Sequence, residues 1–487
     1  MTETRSPSSS AATLPGHGCL KEPELSYHPE RPDFRHRHPL EGLLRFGPLG
    51  ASTVNRLLGP IRVGMLAPAG GLARLKQLIG ELEFPLQPVE RPHYLRPFPG
   101  FSQVFRVGIV AAPAHACLEF PASFDQKVAD SAVPHQLLAD QLRRAISRLL
   151  IQRSEFDVLV IYLPEKWKRG FWGPEGDDFD LHDFLKAYTA TIDIPTQIVN
   201  DGATGAFDYR CRCSVAWRLG IALYTKSGGV PWRLVPVDHG TAYVGISYAL
   251  RPSGDSRSRF VTCCSQVFDA DGTGLEFLAY TPDDLRAEEG ENPFLTRADM
   301  RRVMARSVTL YQQRHAGRLP ARVVVHKTSE FKPDEIDGCF EAFAAIESVD
   351  LVQVSRTPWR GLHYERGRRG TGQVEAGYAV LRGTYLPTGP REVLLWTQGD
   401  APEVTGGNHY FQGGKGIPAP LALRRFAGHG AWESTCADVL GLTKMNWNSD
   451  NLYDSLPVTL GFAKTLADVI KRMDRLGSRA FPVRLFM

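Results

Sequence analysis

Asp157-Val-Leu-Val-Ile-Tyr162 sets five apolar or aromatic residues in a row behind a single acid. A strand with one wet face alternates, and an unbroken run leaves no face for water. The segment therefore predicts a strand covered on both sides, as strands of a parallel sheet are. Upstream, Pro134 opens a helix with Leu138, Leu142, Ile146 and Leu149 on one face and Arg143, Arg144 and Arg148 opposite. Before it come a strand candidate at Val104–Ala111, an amphipathic run from Gly71 to Leu82 and the apolar run Ile61–Leu66. Downstream, the pattern predicts a helix from about Leu181 to Ala190, a strand Thr196–Val199 and a helix from about Tyr209 to Tyr224. Strand–helix alternation of this length implies a Rossmann-like parallel sheet over residues 41–236.

The second half changes rhythm. Thr241–Leu250, Arg259–Phe268 and Gly274–Tyr280 predict an antiparallel meander, with turn-rich Arg251-Pro-Ser-Gly-Asp255 in its first connection. A helix follows (Thr296–His315), then strand Arg322–Lys327, helix Asp334–Ile346, strand Val349–Ser355, a further strand Val393–Trp396, and a closing helix Gly461–Met473. Three antiparallel strands followed by helix, strand, helix and strand is the order of an RNase H-like fold. Residues 1–40, rich in Ser, Pro, His and charge, predict a flexible tail.

The 487 residues suffice for two to three domains, and 43% hydrophobic with 23% charged residues excludes wholesale disorder. A net charge of +4 permits nucleic-acid binding without demanding it. No run is apolar enough to span a membrane, no signal peptide precedes the first domain, and eight cysteines without a C-x-x-C pair fit reduced thiols, so a cytoplasmic protein is expected.

Five segments carry a family resemblance, in order along residues 42–487: Gly42-Leu-Leu-Arg-Phe-Gly-Pro48, Ala222-Leu-Tyr-Thr-Lys-Ser-Gly-Gly-Val-Pro-Trp232, Val323-Val-Val-His-Lys-Thr328, Leu442-Thr-Lys-Met-Asn-Trp-Asn448 and Leu456-Pro-Val-Thr-Leu-Gly-Phe-Ala463. Together they resemble the short prokaryotic Argonautes, built of MID and PIWI domains only. The resemblance implies an α/β chain with a Rossmann-like MID domain at 41–236 and an RNase H-like PIWI domain at 237–487.

A 5′-phosphate needs convergent donors, some cationic, near a helix end. His182 and Lys186, spaced i, i+4, share a helix face; Gln197 lies on the next strand and Lys226 at the end of the long helix. These four resemble the family's guide 5′-phosphate pocket. The family completes that pocket with the C-terminal carboxylate and a divalent cation, here the carboxylate of Met487 with Mg²⁺, a hard ion suited to phosphate oxygens. The PIWI half departs from the slicing pattern. Where family strands read Ile-Gly-Ile-Asp, this chain reads Val244-Gly-Ile-Ser247; Thr328 and Lys464 stand at the other carboxylate or histidine positions. Serine, threonine and lysine do not hold two Mg²⁺ ions, so a catalytically inactive PIWI domain is expected.

Arg366, Arg368, Arg369, Arg424, Arg425 and Lys444 are candidate contacts to the nucleic-acid backbone, as is the Gly413-Gly-Lys-Gly416 loop, which lacks the Gly-Lys-[ST] of a Walker motif. Gly406-Gly-Asn408 is equally no Walker motif. Cys211 and Cys213 have no zinc partners in spacing, Cys263-Cys264 carries no role, and Asp238-His239 reads as a turn cap. The resemblance implies a sensor. It would bind a 5′-phosphorylated small guide RNA, pair it with invading single-stranded DNA and activate an associated APAZ-domain effector, as a heterodimer in prokaryotic defence. Two alternatives stand beside it: an active RNase H-like nuclease using Asp269, Asp271, Glu330 or Glu335, and an assembly subunit with a vestigial pocket.

Overall fold

The computed structural model describes residues 16–50, 59–90, 92, 95–175, 177–202, 207–236, 238–251, 260–280, 285–286, 294–361, 379–405, 417–462, 466, 469–470 and 480–487. Two sheets organise it. In the first, Ile61–Ala67 sits at the centre, parallel to Ile109–Ala111 and Cys117–Glu119 on one side and to Val158–Leu163 on the other, and Thr196–Asn200 continues the sheet beyond. Every residue of Val158–Leu163 is buried, as its unbroken apolar run requires. Helix Pro134–Leu150 covers one face with Leu138, Leu142, Ile146 and Leu149, each at most 2% exposed; each such burial contributes about 1.5–3 kcal/mol. Helices Leu181–Thr191 and Arg212–Lys226 flank the last strand. The expected strand over Val104–Ala111 is a correction. Phe101–Phe105 is a short helix and only Ile109–Ala111 is strand, because Phe101, Val104 and Phe105 fill the core at helical spacing.

The second sheet has ten strands. At its heart Gly274–Tyr280, Phe260–Phe268, Thr241–Arg251, Arg322–Lys327 and Ser348–Arg356 lie in that spatial order. The first three pair antiparallel, and the last three pair parallel to one another. This is the RNase H-like arrangement, covered on one side by Arg297–Arg314 and Pro333–Ala342. Strands Leu421–Ala427, Glu392–Leu395 and Thr384–Gly389 extend one edge; the sequence reading had only the second of these.

The expected flexible tail over 1–40 is a second correction. Residues 1–15 lie outside the described residues, but from Gly18 the chain is stitched into the fold. Gly18–Cys19 pairs with Thr384–Tyr385 at the edge of the ten-stranded sheet, and Leu25–Ser26 pairs with Arg233–Leu234, between the two domains. Glu22 is 7% exposed and receives Arg382 Nε (2.8 Å) and Lys444 Nζ (2.7 Å). A flexible tail would leave its charge in water, whereas two buried cations hold it inside. No helix among the described residues is long and apolar enough to cross a membrane.

Candidate nucleic-acid interface

Four segments distant in sequence meet where the two domains join. Asp180 caps helix Leu181–Thr191, accepting the backbone N–H of Asp183, and the helix carries Lys186 inward on its second turn. Thr196–Asn200 presents Gln197, helix Arg212–Lys226 ends on Lys226, and the turn Val483–Leu485 leads to Met487. Lys186 and Lys226 are 2% and 1% exposed. Lys186 Nζ donates to the main-chain oxygens of Thr196 and Met487, 2.7 Å each. Lys226 Nζ donates to Gln197 Oε1, whose amide Nε2 is turned to Ile198 O (2.9 Å).

The two lysine amines adjoin, so each alters the other's proton affinity. Burial pushes Lys186 down to about 8, partly offset by its neighbour Lys226. Burial, and then the charge of Lys186, hold Lys226 well below the usual lysine range. Two buried amines whose proton affinity has been lowered by desolvation and mutual repulsion form a site that an anion would stabilise. Of the four residues expected in this pocket, Lys226 bonds Gln197, and Lys186 beside it bonds Met487. His182 lies one turn earlier, half exposed, with its ring on Asp183 Oδ1 (3.0 Å). Together with Asp180 these two place three possible metal-ligating atoms within 4.8 Å of one another.

A cavity of about 350 Å³ opens beside this chain, lined among others by Thr225, Gly228, Arg314, Trp447, Arg484 and Met487.

In the second domain, parallel pairing of Gly245 with His326 and Ile246 with Lys327 brings Ser247, within strand Thr241–Arg251, beside Thr328, which follows the end of Arg322–Lys327. Ser247 Oγ is buried and has no partner among the described residues. Beside them the corner is filled by charge already paired. Lys327 Nζ donates to both oxygens of Glu335 (2.7 and 2.6 Å), and Glu335 also accepts Tyr248 Oη–H (2.8 Å). Lys464 lies outside the described residues. Glu330 is ion-paired with Arg424 (2.6 Å). Asp269 and Asp271 follow Phe268, which pairs with Tyr243 near the start of the first strand, the end away from Ser247. Asp269 binds His315 (3.0 Å) and Asp271 binds Arg233 (3.2 Å).

The expected backbone contacts divide. Arg424 is exposed, on a strand, with Glu330 as its partner. Lys444 and Arg425 are corrections, since neither stands at a surface. Lys444, 3% exposed, is enclosed by Glu22, Pro23 O and Arg37 O. Arg425, 9% exposed, donates to Gly430 O and Thr435 Oγ1 and stacks 4.3 Å above the Trp432 ring. Arg366, Arg368 and Arg369, and both glycine loops, lie outside the described residues. Asp238 caps its turn as expected, accepting Gly240 N–H and Thr241 Oγ1–H at 2.9 Å. Cys211 precedes the long helix and Cys213 is buried in it, its thiol on Arg96 O.

The two sheets, in this order, make the MID–PIWI α/β fold of Argonautes. The chain is similar to Clostridium butyricum Argonaute bound to a guide DNA (5′ deoxycytidine) and a 19-mer target DNA: 14% identity, TM-score 0.64, 96% of this chain and 55% of that one. It is similar too to Aquifex aeolicus Argonaute (14%, 0.57, 97% and 57%) and to Aa-Ago with externally bound siRNA (14%, 0.57, 98% and 56%). The chain thus spans little more than half the length of these structures, and at such identity the likeness is one of fold. No family model and no curated protein matches the sequence.

Proposed function

We propose that this chain is a guide-dependent nucleic-acid sensor. It holds the 5′-phosphate of a small guide RNA, pairs the guide with single-stranded DNA without cutting it, and signals to an APAZ-domain effector bound to it. The observation that carries this reading is the buried pair Lys186 and Lys226, held by Met487 and Gln197, because two adjacent buried lysines call for an anion. In this reading the oxygen on Lys186 belongs to a chain-terminal carboxylate, and His182 completes the pocket from the neighbouring turn. A Mg²⁺ fits there on donor chemistry: Met487 offers a hard oxygen, and phosphate oxygens and water supply the rest of its shell. The ion would screen the like charges of carboxylate and phosphate, while the lysines bind and orient the strand end. Slicing deficiency is supported by Ser247 and Thr328 on neighbouring strands, neither of them a carboxylate, and by Glu335 beside them, which is already paired with Lys327.

The test is binding of one short RNA carrying either a 5′-phosphate or a 5′-hydroxyl, to the wild type and to a Lys186→Ala/Lys226→Ala variant. The phosphate should strengthen binding about tenfold or more in the wild type and not in the variant. Equal binding of both RNAs by the wild type would make the pocket vestigial. Cleavage of a paired target with Mg²⁺ or Mn²⁺ would overturn the inactive reading. Co-purification with the product of a neighbouring gene tests the effector.

A further inference from the structure

Helix Pro134–Leu150 gives one face to the parallel sheet and leaves the other open. Val133, its N-cap, is 46% exposed, and Ile151, its C-cap, is 81% exposed. They stand eighteen positions apart, five full turns of helix, so both lie on one line of the open face. Asp140 and Arg144 flank that line near the middle of the helix, and both are exposed. Asp140 is bonded to Arg143 (3.1 Å), whereas Arg144 makes no ion pair among the described residues.

Two aliphatic residues in water at the ends of one helix face, with an acid and a base between them, make that face complementary to itself. The level of Leu142 is the midpoint of both pairs: Val133 and Ile151 lie nine positions to either side of it, Asp140 and Arg144 two. An antiparallel copy of the helix, related by a two-fold axis at that level, sets Val133 on Ile151 and Asp140 on Arg144, and each contact occurs twice. A parallel copy would set Asp140 on Asp140 and Arg144 on Arg144 instead.

We propose that this face is a homodimer contact, in which helix Pro134–Leu150 packs antiparallel on the same helix of a second copy of this chain. The contact uses no residue of the 5′-end pocket and stands or falls apart from it. The face is about 25 Å long and 10 Å wide, small against the roughly 800 Å² that each partner buries in a stable interface. The dimer is accordingly weak, sensitive to salt and visible only at high concentration.

The experiment is sedimentation velocity on the full chain over about a thousandfold range of concentration, at low and at high salt. The wild type should pass from the mass of one copy to that of two as concentration rises, and high salt should move that passage upward about threefold or more. Asp140→Arg and Arg144→Asp each place like charges across the axis and should weaken the dimer about tenfold or more. The double variant Asp140→Arg/Arg144→Asp restores opposite charges and should return to within about threefold of the wild type. A wild type that keeps the mass of one copy throughout overturns the proposal, as do single variants that pair like the wild type. A double variant as weak as the singles overturns it too, because the two charges would then not face each other. Circular dichroism and thermal melting of each variant separate lost pairing from lost fold. Where a charge variant fails to fold, Ile151→Ser, at a site already in water, carries the test and should weaken the dimer about threefold.

Discussion

At Lys226 stability and binding pull in opposite directions. It is 1% exposed, and its neighbours are Gln197 and a second lysine rather than a carboxylate. Burying an amine that lacks a counter-ion is costly, and replacing it with an apolar chain of similar length removes that cost. Lys226→Met should therefore leave the guide-free protein as stable or more so, by about 1 kcal/mol or above in urea unfolding, while abolishing the preference for a 5′-phosphate. Lower stability would show that the amine is held for the fold. Spacing of i, i+4 puts His182 and Lys186 on one helix face, but it gave no sign that Lys186 would be buried while His182 stays exposed. Lys444 and Arg425 were misread because a cation in sequence carries no sign of its partner. Glu22 lies 422 residues from Lys444, and Arg425 points inward from a strand that the pattern did not reveal.

At the scale of elements, the five central strands of the PIWI-like half were legible because each is a short β-rich run between turn signals. The outer strands were not, since Thr384–Gly389 contains Pro and Gly and the two-residue Gly18–Cys19 strand has no period to read. What joins these elements is buried charge. Glu22→Gln would leave Arg382 and Lys444 with one neutral partner between them. It should destabilise the protein by about 3 kcal/mol and loosen the segment from Gly18 to His38, which hydrogen exchange would report. His326, on strand Arg322–Lys327, makes the acid response predictable. It is fully buried, with Nδ1 on Thr459 Oγ1 (2.9 Å) and Nε2 without a partner among the described residues. Burial, and then repulsion from Arg322, lowers it from 6.5 to about 3. A base whose folded pKa lies below its unfolded value stabilises fully above 6.5, and that contribution is lost as pH falls towards 3. About 5 kcal/mol should disappear across that window. His326→Phe should show a shallower dependence of unfolding free energy on pH; an unchanged slope would place the titration elsewhere.

At the scale of the whole molecule, the two described ends of the chain lie at opposite edges of the ten-stranded sheet, Gly18–Cys19 at one and Ala480–Phe481 at the other. Only the second edge approaches the lysine pair. Phe481, Leu485, Phe486 and Met487 are each at most 5% exposed, so the end of the sequence is packed as tightly as the core. The sequence pointed to this, because seven residues as apolar as Phe481–Met487 have little reason to be in water. The resemblance put Met487 in the same pocket as Lys186, and in the structure Lys186 Nζ lies 2.7 Å from Met487 O, 301 residues away. In the proposed pocket the oxygen of Met487 belongs to a carboxylate, which residues added after Met487 would convert into an uncharged amide carbonyl, and they would need an exit path through this packing. Lys186 would then keep its charge while losing the anion beside it, and a charged hydrogen bond of this kind is worth about 1.5–3 kcal/mol. A short polar tag at the C-terminus should therefore weaken binding of 5′-phosphorylated RNA about tenfold or more. The same tag at the N-terminus should leave binding unchanged, and removing the C-terminal tag by a protease that restores Met487 as the last residue should recover it. If the C-terminally tagged protein binds as tightly as the untagged one, the oxygen on Lys186 acts as a main-chain carbonyl, and the pocket draws its anion from the nucleic acid alone.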